Sequence, residues 1–290
     1  MIIGHQKQWE FLKKSAELGK ISHAYLFSGL EKLGKKTLAL EWISSLFGQD
    51  ILKRQHQDFV FIAPVGKEIQ ISQIRGLILK LSLRPFLTPF KAAVIDQAHL
   101  MNQEAQNCFL KTLEEPKGKT ILILITEYPE TLFPTILSRC EMIKFYPVDK
   151  KEIENYLKEK EIPQNLIEEI VNVSMGKPGV AIDFLLNPKK LENQKRIIED
   201  LNKISKSDLV YRFQYVKNLA QENNLKEVLE IWLNYFRNIL LSKIKREENF
   251  KDYSFPKLKN ILQKIQTTNF LIFTTNVNPR LALETLMLEL

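Results

Sequence analysis

Cysteine is scarce in this 290-residue chain, which contains only Cys108 and Cys140. The two lie in different segments, and no Cys-x-x-Cys spacing occurs. This pattern indicates neither a disulfide framework nor a cysteine-based zinc site. We interpret both residues as small buried apolar side chains, and we expect a protein without a metal.

Long apolar runs are also missing. No segment approaches the roughly 20 apolar residues that span a bilayer. The N-terminus from Met1 to Glu10 carries polar and charged side chains in place of a signal-peptide core. The hydrophobic fraction of 44% and the charged fraction of 26% are typical of a globular protein. We therefore expect a cytoplasmic protein without membrane contact, long enough for two or three domains.

Acidic residues are fewer than basic ones, 34 against 42, which gives a net charge of +8. Such an excess favours contact with nucleic acid or with acidic partners. Scattered lysines such as Lys243 and Lys257 fit solvated helix faces equally well. No helix-turn-helix or zinc-finger pattern supports a stand-alone DNA-binding module.

Short apolar runs alternate with amphipathic helical patterns in the first half of the chain, as is typical of a parallel sheet covered by helices. The predicted strands are Ala24–Ser28, Phe59–Ile62, Ala92–Asp96 and Ile121–Thr126. The predicted helices between them are Lys35–Phe47, Ile71–Leu81 and Asn102–Leu113. After about Pro147 the strand signals stop, and the remaining pattern is helical.

A glycine-rich loop follows the first predicted strand. Gly29, Gly34 and Lys35 match the pattern G-x-x-x-x-G-K-[ST], whose backbone N–H groups face phosphates at the start of a helix. The position of the Mg²⁺-binding hydroxyl is Lys36, however, and Thr37 comes one residue later, about 100° farther round the helix. We favour a strand-to-helix turn without catalytic function and leave weak ATP or ADP binding open.

In P-loop ATPases a second element, an acidic box, ends an apolar strand: Asp, often followed by Glu, holds Mg²⁺ and polarises the attacking water. The third predicted strand of this chain ends in the corresponding position. This chain has Asp96 followed by Gln97. The uncharged amide of Gln97 cannot act as a general base. His99 is better explained as a surface or hydrogen-bonded residue than as a substitute base.

Two segments carry distinctive motifs: Val94–Pro116 contains Leu-Lys-Thr-Leu-Glu-Glu-Pro, and Ile125–Cys140 ends in Ser-Arg-Cys. At this spacing they closely resemble the clamp-loader family of AAA+ proteins. Further matches are His23–Gly29, Ile71–Arg75 and Asn278–Glu284. The resemblance spans most of the chain, although residues 190–275 carry no matching motif.

The resemblance implies three domains. An AAA+ α/β domain with a degenerate phosphate loop would cover residues 1–148, a small helical lid 149–206, and a helical collar 207–290. The sequence agrees, because the sheet pattern ends near Val148 and a polar stretch lies at Ser205–Ser207. The apolar stripe in Leu225–Leu241 has helical spacing, and such a stripe is ordinarily core.

Within the family, the sequence is more similar to subunits that no longer hydrolyse ATP than to the ATP-hydrolysing gamma/tau subunits. Lys36 replaces the Mg²⁺-binding hydroxyl, and Gln97 replaces the glutamate of the acidic box. Gly179 lies in the segment where an active subunit carries its sensor arginine. One departure is that residues 49–58 contain no cysteine, although many relatives carry a four-cysteine zinc module there.

The resemblance also implies the site residues. A degenerate nucleotide site, weak or empty, would comprise Gly29, Gly34, Lys35, Lys36, Thr37, Asp96 and Thr126. Arg139, within the motif Ser138-Arg139-Cys140, would be an arginine finger that reaches the ATP of an adjacent subunit. The competing interpretation of Arg139 is a surface salt bridge after a helix.

The partners implied by the resemblance are gamma/tau and delta clamp-loader subunits, with the sliding clamp and primer-template DNA met through the complex. Two alternatives stay open: a gamma/tau-like subunit that hydrolyses ATP, and a stand-alone P-loop ATPase, kinase or DNA-translocating motor. Both need an intact phosphate loop and its metal ligand, so Lys36 and Gln97 argue against them.

Overall fold

Five parallel strands form one sheet in the computed structural model, which describes residues 2–51, 56–116, 118–221, 224–245 and 253–290. The strands are β1 Ala24–Ser28, β2 Phe59–Ile62, β3 Lys91–Ile95, β4 Thr120–Thr126 and β5 Glu141–Lys144. Their order is β2-β3-β4-β1-β5. β4 therefore lies between β1 and β3, and the loops after these three strands emerge at the same edge.

Thirteen α-helices surround or follow the sheet in the described residues. Those up to residue 186 are α1 Gln6–Glu17, α2 Lys35–Phe47, α3 Ile71–Ser82, α4 Gln103–Glu114, α5 Pro134–Leu137, α6 Lys150–Glu159, α7 Gln164–Ser174 and α8 Pro178–Leu186. The later ones are α9 Pro188–Lys206, α10 Leu209–Leu219, α11 Leu225–Lys245, α12 Phe255–Thr274 and α13 Pro279–Met287.

Both faces of the sheet are buried, as a parallel sheet requires. Alternate residues of one strand enter different cores: Tyr25 and Phe27 pack with α2, whereas Ala24 and Leu26 pack with α3 and α4. The continuous apolar runs of β1, β3 and β4 follow from this double burial.

Four strands and three helices of the sequence prediction are confirmed within one residue at each end. The fifth strand, β5, was not predicted, because only Ile143 of its four residues is buried and the segment lacks an apolar run. Helix α1 was missed for a similar reason, since Leu12 is its only fully buried residue. The cysteines are partly buried and pack against the core of α3 and α4, so they are less enclosed than expected.

The chain divides into two compact units, residues 1–183 and 184–290. The second unit has its own apolar core, centred on Trp232 and Phe236 of α11 and Ile261 of α12.

The three predicted domains, 1–148, 149–206 and 207–290, stay a prediction. The cysteine-free stretch 49–58 lies partly outside the described residues, because 52–55 are not among them.

Candidate functional site

The candidate nucleotide site lies at the carboxyl edge of the sheet, where β1, β3 and β4 end. The strand register brings Ser28 opposite Thr126, and Ile95 opposite Leu124. The Gly29 N–H donates to the Thr126 carbonyl oxygen at 3.2 Å. Sequence-distant residues of the predicted site are thus brought together at one edge, where parallel sheets bind ligands.

The two glycines of the loop are required for different reasons. Gly34 has φ 92°, and a Cβ atom there would meet open space, so its backbone conformation alone favours glycine. A Cβ atom at Gly29 would lie 2.4 Å from the carbonyl oxygen of Phe145, just after β5. Close packing of the sheet therefore accounts for Gly29 without any phosphate.

Lys35, the lysine of the phosphate-loop pattern, is 6% exposed at the start of α2. Its ammonium group donates to the carbonyl oxygens of Gly29 and, at 2.5 Å, of Leu30. Burial lowers the pKa of Lys35 to about 8, although nearby carboxylates including Glu127 and Glu31 favour the charged form. The group that would meet a phosphate is thus bound to the loop itself.

Lys36 stands where the motif requires a hydroxyl, and its Nζ lies 3.3 Å from Oδ2 of Asp96. The same ammonium lies over the ring of Phe61, 4.3 Å from its centroid. Thr37 is exposed on α2. The residues therefore do not fit a magnesium ion as an intact phosphate loop would, because the hydroxyl is absent and Asp96 is paired with a lysine. No group of three or more metal-binding side chains occurs among the described residues.

The segment after β3 is held in an unusual conformation. Gln97 has φ 51°, in the left-handed region, and its N–H donates to the Asp96 carboxylate at 3.1 Å. Thr126 is 1% exposed. Its hydroxyl accepts from the Tyr128 N–H at 3.1 Å and lies 3.3 Å from His99 Nδ1. Thr126 and His99 are thus hydrogen-bonded neighbours within the site.

Helix α8 contacts the tip of the loop. The Gly179 N–H donates to the carbonyl oxygen of Lys32 at 2.9 Å. The Lys32 ammonium lies 2.5 Å from the Asp183 carboxylate. Sequence reasoning missed this contact, because the residues are 151 positions apart and match no motif.

Sequence reasoning also missed His5, which contacts the loop from the N-terminal segment. Its Nε2 hydrogen-bonds the Leu33 carbonyl oxygen at 2.7 Å, and burial lowers its pKa.

Arg139 lies in the turn between α5 and β5, with its side chain 35% exposed. Its Nη2 lies 2.8 Å from a carboxylate oxygen of Glu114, the last residue of α4, and Nη1 donates to the Thr135 carbonyl oxygen at 2.9 Å. Ser138 Oγ lies 3.5 Å from Nη1. Cys140 is partly buried, and burial raises the pKa of its thiol to about 12, which disfavours the thiolate form.

Arg139 lies at the amino end of the parallel strands, whereas the phosphate loop lies at their carboxyl end. β5 runs parallel to β1, with Glu141 opposite Tyr25 and Lys144 opposite Ser28. Arg139 precedes the start of β5, whereas the loop follows the end of β1. The paired segment alone separates them by about 10 Å, at roughly 3.3 Å per residue. Arg139 is therefore not placed to act on a nucleotide in its own chain.

A family comparison identifies the chain. The model of the family described as DNA polymerase III, delta subunit, matches residues 4–149. The chain belongs to this family. The match spans the sheet, the phosphate loop and Arg139, so the candidate sites all lie within the part that defines membership.

Similar proteins agree with the family. The delta-prime subunit of DNA polymerase III from Bacillus subtilis is 27% identical, over 94% of this chain and 89% of its own length. A gamma subunit from Buchnera aphidicola is 28% identical, over 91% of this chain and 88% of its own length. The resemblance to the clamp-loader family is thereby confirmed, and the findings support a bacterial delta-prime subunit.

The fold is shared with a gamma subunit-related protein of DNA polymerase III from Thermotoga maritima. That crystal structure has a TM-score of 0.53 and 19% identity, and covers 96% of this chain and 97% of its own. The predicted fold class is confirmed. Within the described residues, no helix has both the length and the apolar character needed to cross a membrane.

Proposed function

We propose that this chain is the delta-prime subunit of a DNA polymerase III clamp loader that supplies Arg139 to the ATP site of a neighbouring gamma or tau subunit. It does not hydrolyse ATP itself. The observation that carries the proposal is the position of Arg139, exposed to about one third at the sheet edge opposite the chain's own loop. An arginine there is partly exposed, and another subunit could reach it once the Glu114 pair opens.

The chemistry of the guanidinium supports this role. It is planar, permanently charged and able to stabilise a transferring phosphoryl group, a contribution of about 10³- to 10⁵-fold in other systems. Its pairing with Glu114 orients it in the free subunit. Because both side chains are partly exposed, the pair costs little to break, so the guanidinium can exchange its carboxylate for a phosphate.

The chain's own loop supports a subunit without ATPase activity. Lys36 replaces the hydroxyl that binds the metal, and Gln97 replaces the carboxylate that would activate water. The expected partners are gamma/tau and delta subunits, with the sliding clamp and primer-template DNA reached through the assembled loader in the cytoplasm.

The proposal is tested with a reconstituted clamp loader that contains Arg139→Ala or Arg139→Lys. The complex should assemble normally, since an exposed arginine contributes little to a core. Steady-state ATP hydrolysis stimulated by DNA and clamp should fall, and the lysine variant should restore little of it, because an ammonium lacks two-pronged donor geometry. Arg84→Ala, an exposed arginine after α3, is the matched control and should leave the rate unchanged. Normal ATP hydrolysis in an intact Arg139→Ala complex would contradict the proposal.

A gamma-like ATPase is the second candidate, favoured by the 28% identity to the Buchnera gamma subunit. The two candidates differ in the isolated chain. The proposed subunit hydrolyses ATP no faster than background, whereas the alternative requires turnover that Lys35→Ala abolishes.

A further inference from the structure

Lys36 and Asp96 occupy the two positions that hold Mg²⁺ in an intact phosphate-loop site, the hydroxyl position of the loop and the aspartate of the acidic box. In this chain their side chains contact each other, with 3.3 Å between Nζ and Oδ2. A lysine would serve as an ordinary surface residue if it pointed to solvent. Here it points at the carboxylate that would bind the metal.

We propose that the Lys36 ammonium is an internal cation in the place of the metal ion, and that the loop therefore rejects Mg²⁺-bound nucleotide. This inference rests on the proposed function, because it explains why the chain lacks ATP chemistry. A divalent ion at Asp96 would have to displace the ammonium and then lie beside its positive charge. Both steps oppose metal binding.

Two further contacts hold this arrangement in place. The Phe61 ring lies beneath the ammonium, 4.3 Å away, so its negative face adds to the attraction of the carboxylate. The other oxygen of Asp96 accepts the Gln97 N–H, which fixes the direction of the carboxylate. The Asp96 side chain is 19% exposed and that of Lys36 is 51% exposed, so solvent screens the pair from the lysine side only in part.

Lys35 acts in the same sense from the other side of the loop. Its ammonium donates to the carbonyl oxygens of Gly29 and Leu30, so it has hydrogen-bond partners without a phosphate. Both lysines thus have partners within the chain. One replaces the metal, and the other is bound within the loop.

The test compares the intact chain with Lys36→Thr, which restores the hydroxyl, Lys36→Ala, which removes the ammonium only, and Lys36→Thr/Asp96→Asn. Binding of a fluorescent ADP derivative is titrated in the presence of MgCl₂ and again in EDTA. We expect the wild type to bind no more tightly with MgCl₂ than with EDTA. Lys36→Thr should bind about tenfold or more tightly with Mg²⁺ than with EDTA, as the gain of a metal ligand predicts. The double variant should lose this difference, and Lys36→Ala should show a smaller one.

A tenfold Mg²⁺ effect in the wild type overturns the inference, and so does the lack of one in a Lys36→Thr variant whose circular dichroism and thermal unfolding match the wild type. If Lys36→Ala responds to Mg²⁺ no more than the wild type, the missing hydroxyl, and not the ammonium, excludes the metal, and the inference is wrong. The experiment uses binding by the isolated chain, so its failure is separate from failure of the Arg139 experiment in the assembled loader.

Discussion

A Cβ atom added at Gly179 would lie 2.9 Å from the carbonyl oxygen of Lys32. This is closer than real Cβ contacts, and the obstructing atom belongs to the backbone, so a side chain here requires the loop or α8 to move. Glycine at this position therefore lets α8 approach the phosphate loop and hydrogen-bond to its tip at 2.9 Å.

Gly179→Ala should destabilise the first unit by about 1–3 kcal/mol, because overpacking outweighs the helix propensity gained. The matched control is Gly76→Ala in α3, where a Cβ atom would meet open space and φ is not positive. That change should be neutral or stabilise by up to about 1 kcal/mol. Urea unfolding followed by the fluorescence of buried Trp42 measures both. Equal stability of the two variants would show that the contact is not close-packed.

The depressed pKa of Lys35 predicts a pH dependence of stability. Below pH 8 the ammonium is charged in both states, whereas between about 8 and 10.5 the unfolded chain holds a proton that the folded chain has lost. The wild type should therefore gain stability relative to Lys35→Met as the pH rises through this window. Urea unfolding of both proteins at several pH values checks the slope, and a constant difference would mean that Lys35 titrates normally.

Asp58 is 1% exposed, and its carboxylate accepts the backbone N–H groups of Phe86, Leu87 and Thr88 at 2.7–3.1 Å. In Asp58→Asn the amide nitrogen would face these donors, so we expect a loss of about 2–4 kcal/mol. Asp50→Asn, at an exposed position, should change the stability by less than about 0.5 kcal/mol. Thermal unfolding of the two variants gives the comparison, and a small effect at Asp58 would contradict the assigned hydrogen bonds.

The buried elements could be predicted from the sequence because their patterns are local. α2 follows the predicted boundaries from Lys35 to Phe47, since its apolar positions and flanking glycines mark both ends. β5 could not be predicted, because its backbone pairing with β1 holds a segment whose side chains are mostly exposed.

The sequence predicted which segments meet at this sheet edge, but not the contacts between their side chains. The motif placed Lys36 and Asp96 at one sheet edge, yet nothing in either segment says that their side chains meet 3.3 Å apart. The Lys32–Asp183 ion pair could not be predicted, because neither residue stands out from the other charged residues of its segment. For Arg139, the sequence offered both a finger and a salt bridge, and the free chain contains the Glu114 pair.

Gly29 belongs to a nucleotide-binding pattern, yet packing alone is enough to require it. Any larger residue would collide with the Phe145 carbonyl oxygen, 2.4 Å from the added Cβ atom, next to the paired strands β1 and β5. Selection against misfolding would preserve this glycine even in a chain that bound no phosphate. A scan that scores only the glycines would assign nucleotide binding to such a chain, so the residue at the hydroxyl position, Lys36 here, is the more informative one.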